Sequence, residues 1–271
     1  MAIYHVDYIT GSNTNTGGPT DPYATIKYAI DTNATGAGDT IKVAGSGLTS
    51  RDAAATIVVG GNYNTLNTSI DLTPFIAVGD IVVVNPPNVA DYNGWTTRYV
   101  TAITATTITF HEGMYLPGTA RVGNWEIFTI DEIVGSTAST FETLTSSAGA
   151  DTVVEGGYNS TFTAIVGRTY IRRTGLSAGS RTGNCFSYSN GPNQANIIFK
   201  NFGFLQWNQA FALGFGTSYR ADNLLFMYSQ TGVNDYDAMF PADETTPADL
   251  YFIDCNTSTQ GRIYYYSTPR S

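Results

Sequence analysis

"ANIIFKNFGF" (195–204), "NLLFMYSQ" (223–230) and "ADLYFIDCN" (248–256) are the stretches on which the fold turns. Aligned on Phe199, Phe226 and Phe252 they recur after 27 and 26 residues, and the strand-like pieces that follow them, "QAFALGFG" at 209, "YDAMFPA" at 236 and "RIYYYST" at 262, recur at similar intervals. Periods of about 20 to 50 residues mark solenoids and propellers, and a propeller blade of four antiparallel strands usually takes about 40, so the shorter period points to a solenoid. Side chains of a strand alternate between faces. Ile197 and Phe199, Leu224 and Phe226, and Leu250 and Phe252 are therefore expected to stack as one interior column, each rung about 4.8 Å from the next. Asn201 and Asp254 fall where such strands would turn, which suits side chains that bond their own backbone.

Composition agrees with a strand-rich chain. Of 271 residues only 13% are charged, about half the usual share, while Gly, Thr, Asn, Ser and Tyr are abundant. The net charge of -9 and the 13 scattered Lys and Arg residues exclude the clustered cations that a nucleic-acid backbone requires. No apolar run is long enough to cross a membrane, and "MAIYHVDYITGS" (1–12) lacks the basic start and apolar segment of a signal peptide. A soluble protein made in the cytoplasm is expected. Cys185 and Cys255 lie in strand-like contexts; buried free thiols are the expected state, with a disulfide as the alternative.

Upstream, "DPYATIKYAIDTNATGAGDTIKVAGSG" (21–47) opens as a short helix. Asp21 suits the N-cap, Pro22 the first turn, and Ile26, Ala29 and Ile30 share one apolar face. Gly36 and Gly38 break it, and Ile41 and Val43 then alternate with Thr40 and Lys42 as a half-buried strand. "STFETLTSSAGADTVVEGG" (139–157) reads as an echo, with Phe141 and Leu144 as an i, i+3 pair and Asp151, Thr152 and Val153 standing where Asp39, Thr40 and Ile41 stood. Between these units, "NTSIDLTPFIAVGDIVVVNPP" and "TRYVTAITATTITFHEG" alternate as antiparallel strands without the longer period. The expected organisation is a cap and first coil at 1–47, an inserted small β-barrel or sandwich at 48–132, and coils at 133–271.

"YHVDYITGSNTNTGGPTDPYATIKYAI…GDTIKVA" followed by strand repeats resembles the N-terminal entry of right-handed parallel β-helix proteins of the pectate-lyase-like group, above all those of bacteriophage tailspikes, head fibres and other virion proteins. The resemblance covers residues 4–47 closely and 133–271 in pattern. It implies an all-β fold: a right-handed parallel β-helix with a short capping helix, Ile26, Ala29 and Ile30 plugging the coil end, and an inserted antiparallel domain. It specifies fold better than function.

Catalytic equipment is sparse. The acidic stretch "VNDYDAMFPADETTPAD" supplies Asp235, Asp237, Asp243 and Glu244, close in the repeat to Asp254, and these carboxylates are the candidates if the protein cleaves glycans. The expected role is a solvated loop, since the Asn-Thr-Asp, Asp-Asp and Arg-Ile-Lys elements of pectin-cleaving hydrolases are missing. His5 and His111 are isolated, and neither a metal site nor a nucleophile triad is expected. "DTNATGAGDTIK" (31–42) begins like an EF-hand loop but has Lys42 where Glu is required, so no metal or cofactor is assigned.

The remaining functional material is aromatic and apolar. Ile198, Leu225, Met227, Tyr251 and Ile253 fall on outward positions of the repeats, and Tyr264, Tyr265 and Tyr266 follow in a run, which together suggest a protein interface. After "GRIYYYSTPRS" nothing evident covers the last coil, so shielding by another chain is expected. The sequence thus leads to a non-enzymatic virion protein on the capsid or tail surface, of decoration, head-fibre or tail-spike type. Its expected partners are other virion proteins, copies of itself, by the resemblance as a trimer, and a host-surface glycan. A glycan depolymerase or lyase and a carbohydrate-binding adhesin module are the alternatives.

Overall fold

The computed structural model describes residues 1–32, 38–51, 53–57, 64–85, 96–111, 122–144, 152–177, 180–188, 197–212, 219–222, 224–227, 231–234, 239–241 and 250–253. The chain divides into two units, one of residues 1–47, 132–175 and 181–271 and the other of residues 48–131 and 176–180.

The first unit starts with β1 (Ile3–Val6), α1 (Ile26–Thr32) and β2 (Thr40–Ala44). β1 and β2 pair in parallel. The outer edge of β1 is covered by its own chain: His5 N–H donates to Gly17 O, Asp7 N–H to Tyr23 O, and Tyr23 N–H to His5 O, each at 2.9 Å. A sheet edge that would otherwise template foreign strands is thereby closed. Ile26, Ala29 and Ile30 are fully buried in one cluster with Val6, Ile41 and Leu144, as the apolar face of a short helix requires. The cap differs from the sequence expectation. Thr25 takes that role, its carbonyl accepting Ala29 N–H and its Oγ1 accepting Tyr28 N–H. Asp21 instead closes a turn, where Oδ2 accepts the Thr16 N–H and hydroxyl.

The second unit contains β3 (Leu48–Ser50), β4 (Ala53–Ile57), β5 (Thr65–Thr68), β6 (Ile81–Asn85), β7 (Thr96–Thr104), β8 (Thr107–Phe110) and β9 (Val122–Ile130). Its antiparallel order is β3-β9-β4-β5-β8-β7-β6, and β6 also pairs with β9, so the sheet closes on itself. Closure removes the exposed edges of an open sheet. Leu66, Val82, Val84, Val100, Ile108, Phe110, Trp125 and Ile127 fill the interior. Entry and exit are neighbours: Leu48 lies opposite Ile130, while in the first unit Ser46 Oγ bonds both the N–H and the carbonyl of Glu132. Deletion of residues 48–131 with a short Gly-Ser join is therefore expected to leave the first unit folded, because the two ends need no long bridge. A retained cooperative melt and retained protection of the β12 amides (below) is the expected result, and loss of both would refute it.

From β10 (Val134–Ser136) the chain runs through β11 (Thr140–Leu144), β12 (Thr152–Tyr158), β13 (Thr169–Arg173), β14 (Asn184–Tyr188), β15 (Ile197–Lys200), β16 (Phe202–Leu205), β17 (Gln209–Ala212), β18 (Tyr219–Asp222), β19 (Leu224–Met227), β20 (Thr231–Asn234), β21 (Met239–Pro241) and β22 (Leu250–Ile253). Three sheets take these strands in rotation, in the orders β1-β2-β12-β15-β18-β21, β10-β13-β16-β19-β22 and β11-β14-β17-β20. Every pairing in them is parallel, as it must be when each circuit returns to a sheet in the same direction. The interior is aromatic: Phe186, Phe199, Phe202, Phe204, Phe211 and Trp207 are fully buried together.

The register corrects the sequence reading in three places. Phe199 lies in the first sheet, opposite Val154 and Ala221, whereas Phe226 and Phe252 are paired in the second sheet with Phe204 above them. The column is thus Ile171, Phe204, Phe226 and Phe252, and its unequal spacing reflects corners of different length. Residues 140–144 are a strand in place of a second helix, because Phe141 and Leu144 belong to a rung already covered by α1. The echo is also one residue out of step, since Val153 sits opposite Thr40 and Val154 opposite Ile41. A one-residue shift exchanges the faces of a strand, and it is Val154 that is buried with Ile41. Asn201 does form the turn expected of it, with φ of 59° between β15 and β16.

Candidate functional site

Two places in the first unit concentrate polar chemistry. One is the outer face of the first sheet. There the register sets His5, Lys42, Glu155, Lys200 and Asp222 side by side in one row, one residue from each strand β1, β2, β12, β15 and β18. From Lys42 onward the charges alternate in sign along neighbouring strands, the arrangement that favours cross-strand pairs. Tyr158 and Phe162 border the row. The Tyr158 hydroxyl donates to Glu155 Oε2 at 2.5 Å, and the Lys42 ammonium lies 4.7 Å from the Tyr158 ring centre and 3.5 Å from the Phe162 carbonyl. Burial, with Glu155 beside it, pushes the Tyr158 phenol well above its usual range. Phe162 has φ of 56°, a strained conformation for an aromatic residue, and is held edge-on against the His5 ring at 4.8 Å. His5 Nδ1 bonds Gly17 O at 3.0 Å, and burial lowers the imidazole's pKa, so it is a neutral packing residue at pH 7.

The other place is Glu142 in β11. This carboxylate is only 6% exposed. Oε2 accepts the Lys27 backbone N–H of α1 at 2.7 Å, while Oε1 and the hydroxyl of neighbouring Tyr8 are both buried without a well-formed hydrogen bond. Burial pushes the carboxyl up to about 7, against the pull of the Lys27 and Ile26 backbone N–H groups and of the Tyr8 hydroxyl. Burial likewise raises Tyr8 and the Cys185 thiol, with Glu142 adding to both. A raised carboxyl is what a general acid needs, but a general acid must also reach substrate. Glu142 is enclosed and bonded to a helix terminus, so its place is structural.

Two further carboxylates lie near each other in the same unit. Asp7 Oδ1 accepts from Ile9 and Thr10 N–H while Oδ2 accepts the Thr10 hydroxyl, and Glu132 is raised by burial and by Asp7. Among the described residues no group of three or more His, Cys, Asp and Glu side chains could hold a metal ion. Cys185 is a buried free thiol. His111 is exposed in the second unit.

Of the interface residues expected from the sequence, Ile198 is only 7% exposed and lies in the first sheet opposite Val153 and Arg220, so it does not belong with the others or present an open face. Leu225 lies opposite Tyr251, and Met227 opposite Ile253, on alternate positions of adjacent strands in the second sheet. Their neighbours in the same rows, Tyr170 and Leu205, are 2% and 0% exposed. Asp235, Asp237, Asp243, Glu244, Asp254, Cys255, Tyr264, Tyr265 and Tyr266 lie outside the described residues. The sequence signal of the charged row is a charged residue directly after a buried apolar one, as in Ile41-Lys42, Val154-Glu155 and Phe199-Lys200.

No family model and no curated protein matches the chain. Among solved structures it is similar to the Gp54 tailspike of Acinetobacter baumannii bacteriophage AP22, solved in complex with A. baumannii capsular saccharide, at 13% identity and a TM-score of 0.24 over 74% of this chain and 40% of that one. The tailspike protein gp49 from Pseudomonas phage LKA1 is similar at 10% identity and a TM-score of 0.22, over 82% and 46%. XylC, solved with xylose, is similar at 12% identity and a TM-score of 0.22, over 94% and 60%. The chain thus spans 40% to 60% of the length of these structures.

Proposed function

We propose that this protein is a structural component of a bacteriophage particle, of tail-spike, head-fibre or decoration type, exposed on the virion surface and built on a right-handed parallel β-helix. The observation that carries this reading is the rotation of β10 to β22 through three all-parallel sheets, closed at its N-terminal end by α1. The right hand follows from the strong preference of parallel crossovers for it. Stacked parallel strands make a repetitive surface that suits attachment. The attachment role is taken as non-enzymatic: Glu142 is enclosed against α1, and Asp7 Oδ1 is held by the Ile9 and Thr10 N–H groups.

The partners proposed are other virion proteins, a host capsular glycan, and two further copies of this chain. Leu225, Met227, Tyr251 and Ile253, adjacent in register, are the residues assigned to self-association. The test is mass spectrometry of purified particles, combined with incubation of the purified chain with host capsular polysaccharide. Presence in the particle and an unchanged polysaccharide chain length are expected. Absence from particles would sink the virion assignment, and release of new reducing ends or unsaturated products would replace the structural role with a depolymerase.

A further inference from the structure

We propose that Glu142 and Tyr8 form a proton-operated latch that holds α1 over the end of the coil. Glu142 comes from β11, and the segment it grips is 115 positions away in sequence. By accepting the Lys27 N–H it satisfies one of the backbone donors that the first turn of a helix leaves without an internal partner. Thr25 provides for Tyr28 and Ala29 locally, and Glu142 adds a polar tie from β11 to the apolar packing of Ile26, Ala29 and Ile30.

The carboxyl is buried, and Lys27 is the countercharge that acts on it. The groups that face it are the Tyr8 hydroxyl from the segment after β1, the Ile26 and Lys27 N–H groups and the Lys27 charge from α1, and the Cys185 thiol from β14. Lys27 Nζ is paired with Asp31 one turn along the helix, so its charge is turned towards another carboxylate. When Glu142 is protonated, Oε2 can keep the Lys27 N–H and no charge is buried. When it is ionised, an anion sits in the same pocket, and the group loses hydration for contacts that only partly replace it.

The direction of the pH effect follows. The folded-state value of about 7 lies above the ordinary value of 4.5, so the closed cap binds a proton that the open one releases. Closure is therefore firmest below pH 4.5 and weakens as pH rises towards 7, levelling off above it. Each pH unit inside that window changes the open-to-closed ratio up to about tenfold. The latch thus makes the cap tighter in mildly acidic medium and looser at neutral and alkaline pH.

Hydrogen exchange of the α1 amides in the full-length protein, corrected for the intrinsic pH dependence of exchange, tests this. Wild-type protection of Ile26–Thr32 is expected to fall by about one to two orders of magnitude between pH 5 and pH 8. Glu142→Gln mimics the protonated acid, with a carbonyl for the Lys27 N–H and no charge, and it is expected to hold wild-type acid-level protection at both pH values. Tyr8→Phe removes a group that favours the ionised form and is expected to move the wild-type midpoint upward. Unchanged wild-type protection across the window overturns the proposal, as does a Glu142→Gln protein that keeps the wild-type pH dependence or lacks protection at both values.

Discussion

Replacing Phe186 by Ala is expected to destabilise the coil by about 3 to 5 kcal/mol, the range for emptying a buried aromatic site that cannot collapse. Phe186 is fully buried, and its ring meets those of Phe199 at 5.1 Å in the first sheet, Phe202 and Phe204 at 6.3 and 6.2 Å in the second, and Phe211 and Phe141 at 5.9 and 6.0 Å in the third. Edge-on and stacked ring pairs add to the burial itself. Because the neighbours belong to three different sheets, no single strand can shift inward to fill the gap without breaking register with its own sheet. Protection of the β14 and β16 amides, which report the coil apart from the antiparallel unit, measures the loss. Phe75→Ala is the control, since that ring is 50% exposed and its removal is expected to leave these amides unchanged. A Phe186→Ala loss below about 1 kcal/mol would mean that the rings do not share one packed interior.

The same interior explains what could and could not be read from the sequence. That the chain is nearly all strand was legible because strands buried on one side write apolar alternation into the sequence, and α1 was legible because Ile26, Ala29 and Ile30 fall at helical spacing. Register was not. Phe is interior in all three sheets, so aligning Phe199 with Phe226 matched two equivalent environments on different faces. The better anchor is the charged position, Lys200 against Asp222, which the register pairs on adjacent strands. Asn201 supplies a left-handed corner in one residue, whereas at the corresponding corner after β2 the chain departs into residues 48–131, and corner length therefore carries no fixed period.

The latch around Glu142 was beyond sequence reasoning for a different reason. A lone Glu in an alternating strand reads as an outward residue, and "TFETL" gives no sign that the adjoining rung is roofed by a helix. Only the juxtaposition of β11 with α1 and Tyr8 turns that carboxylate inward.

The corner between the first and second sheets is also where the largest backbone effect is expected. Gly157 has φ of 81°, and a Cβ there would stand 2.2 Å from the Gly167 carbonyl oxygen. The crowding is reciprocal among backbones: a Cβ on Gly167 would meet Ser46 O at 2.0 Å, and one on Gly45 would meet Arg168 O at 2.5 Å. Thr169 locks the group, its Oγ1 donating to Ala44 O at 2.7 Å and accepting Gly157 N–H at 3.0 Å. Gly157→Ala must therefore pay both the left-handed conformation, about 1 to 2 kcal/mol for an L-residue, and the displacement of a carbonyl fixed on several sides. Gly175→Ala isolates the first contribution, because φ is 74° there but the nearest atom, Thr137 Cγ2, is at an ordinary 3.5 Å. Denaturant titration is expected to show Gly175→Ala losing about 1 to 2 kcal/mol and Gly157→Ala at least about twice that. Equal losses at the two positions would mean that the corner backbone can relax, and that the glycines at 45, 157 and 167 are conveniences of the turn and not the condition for three strands of chain to meet there.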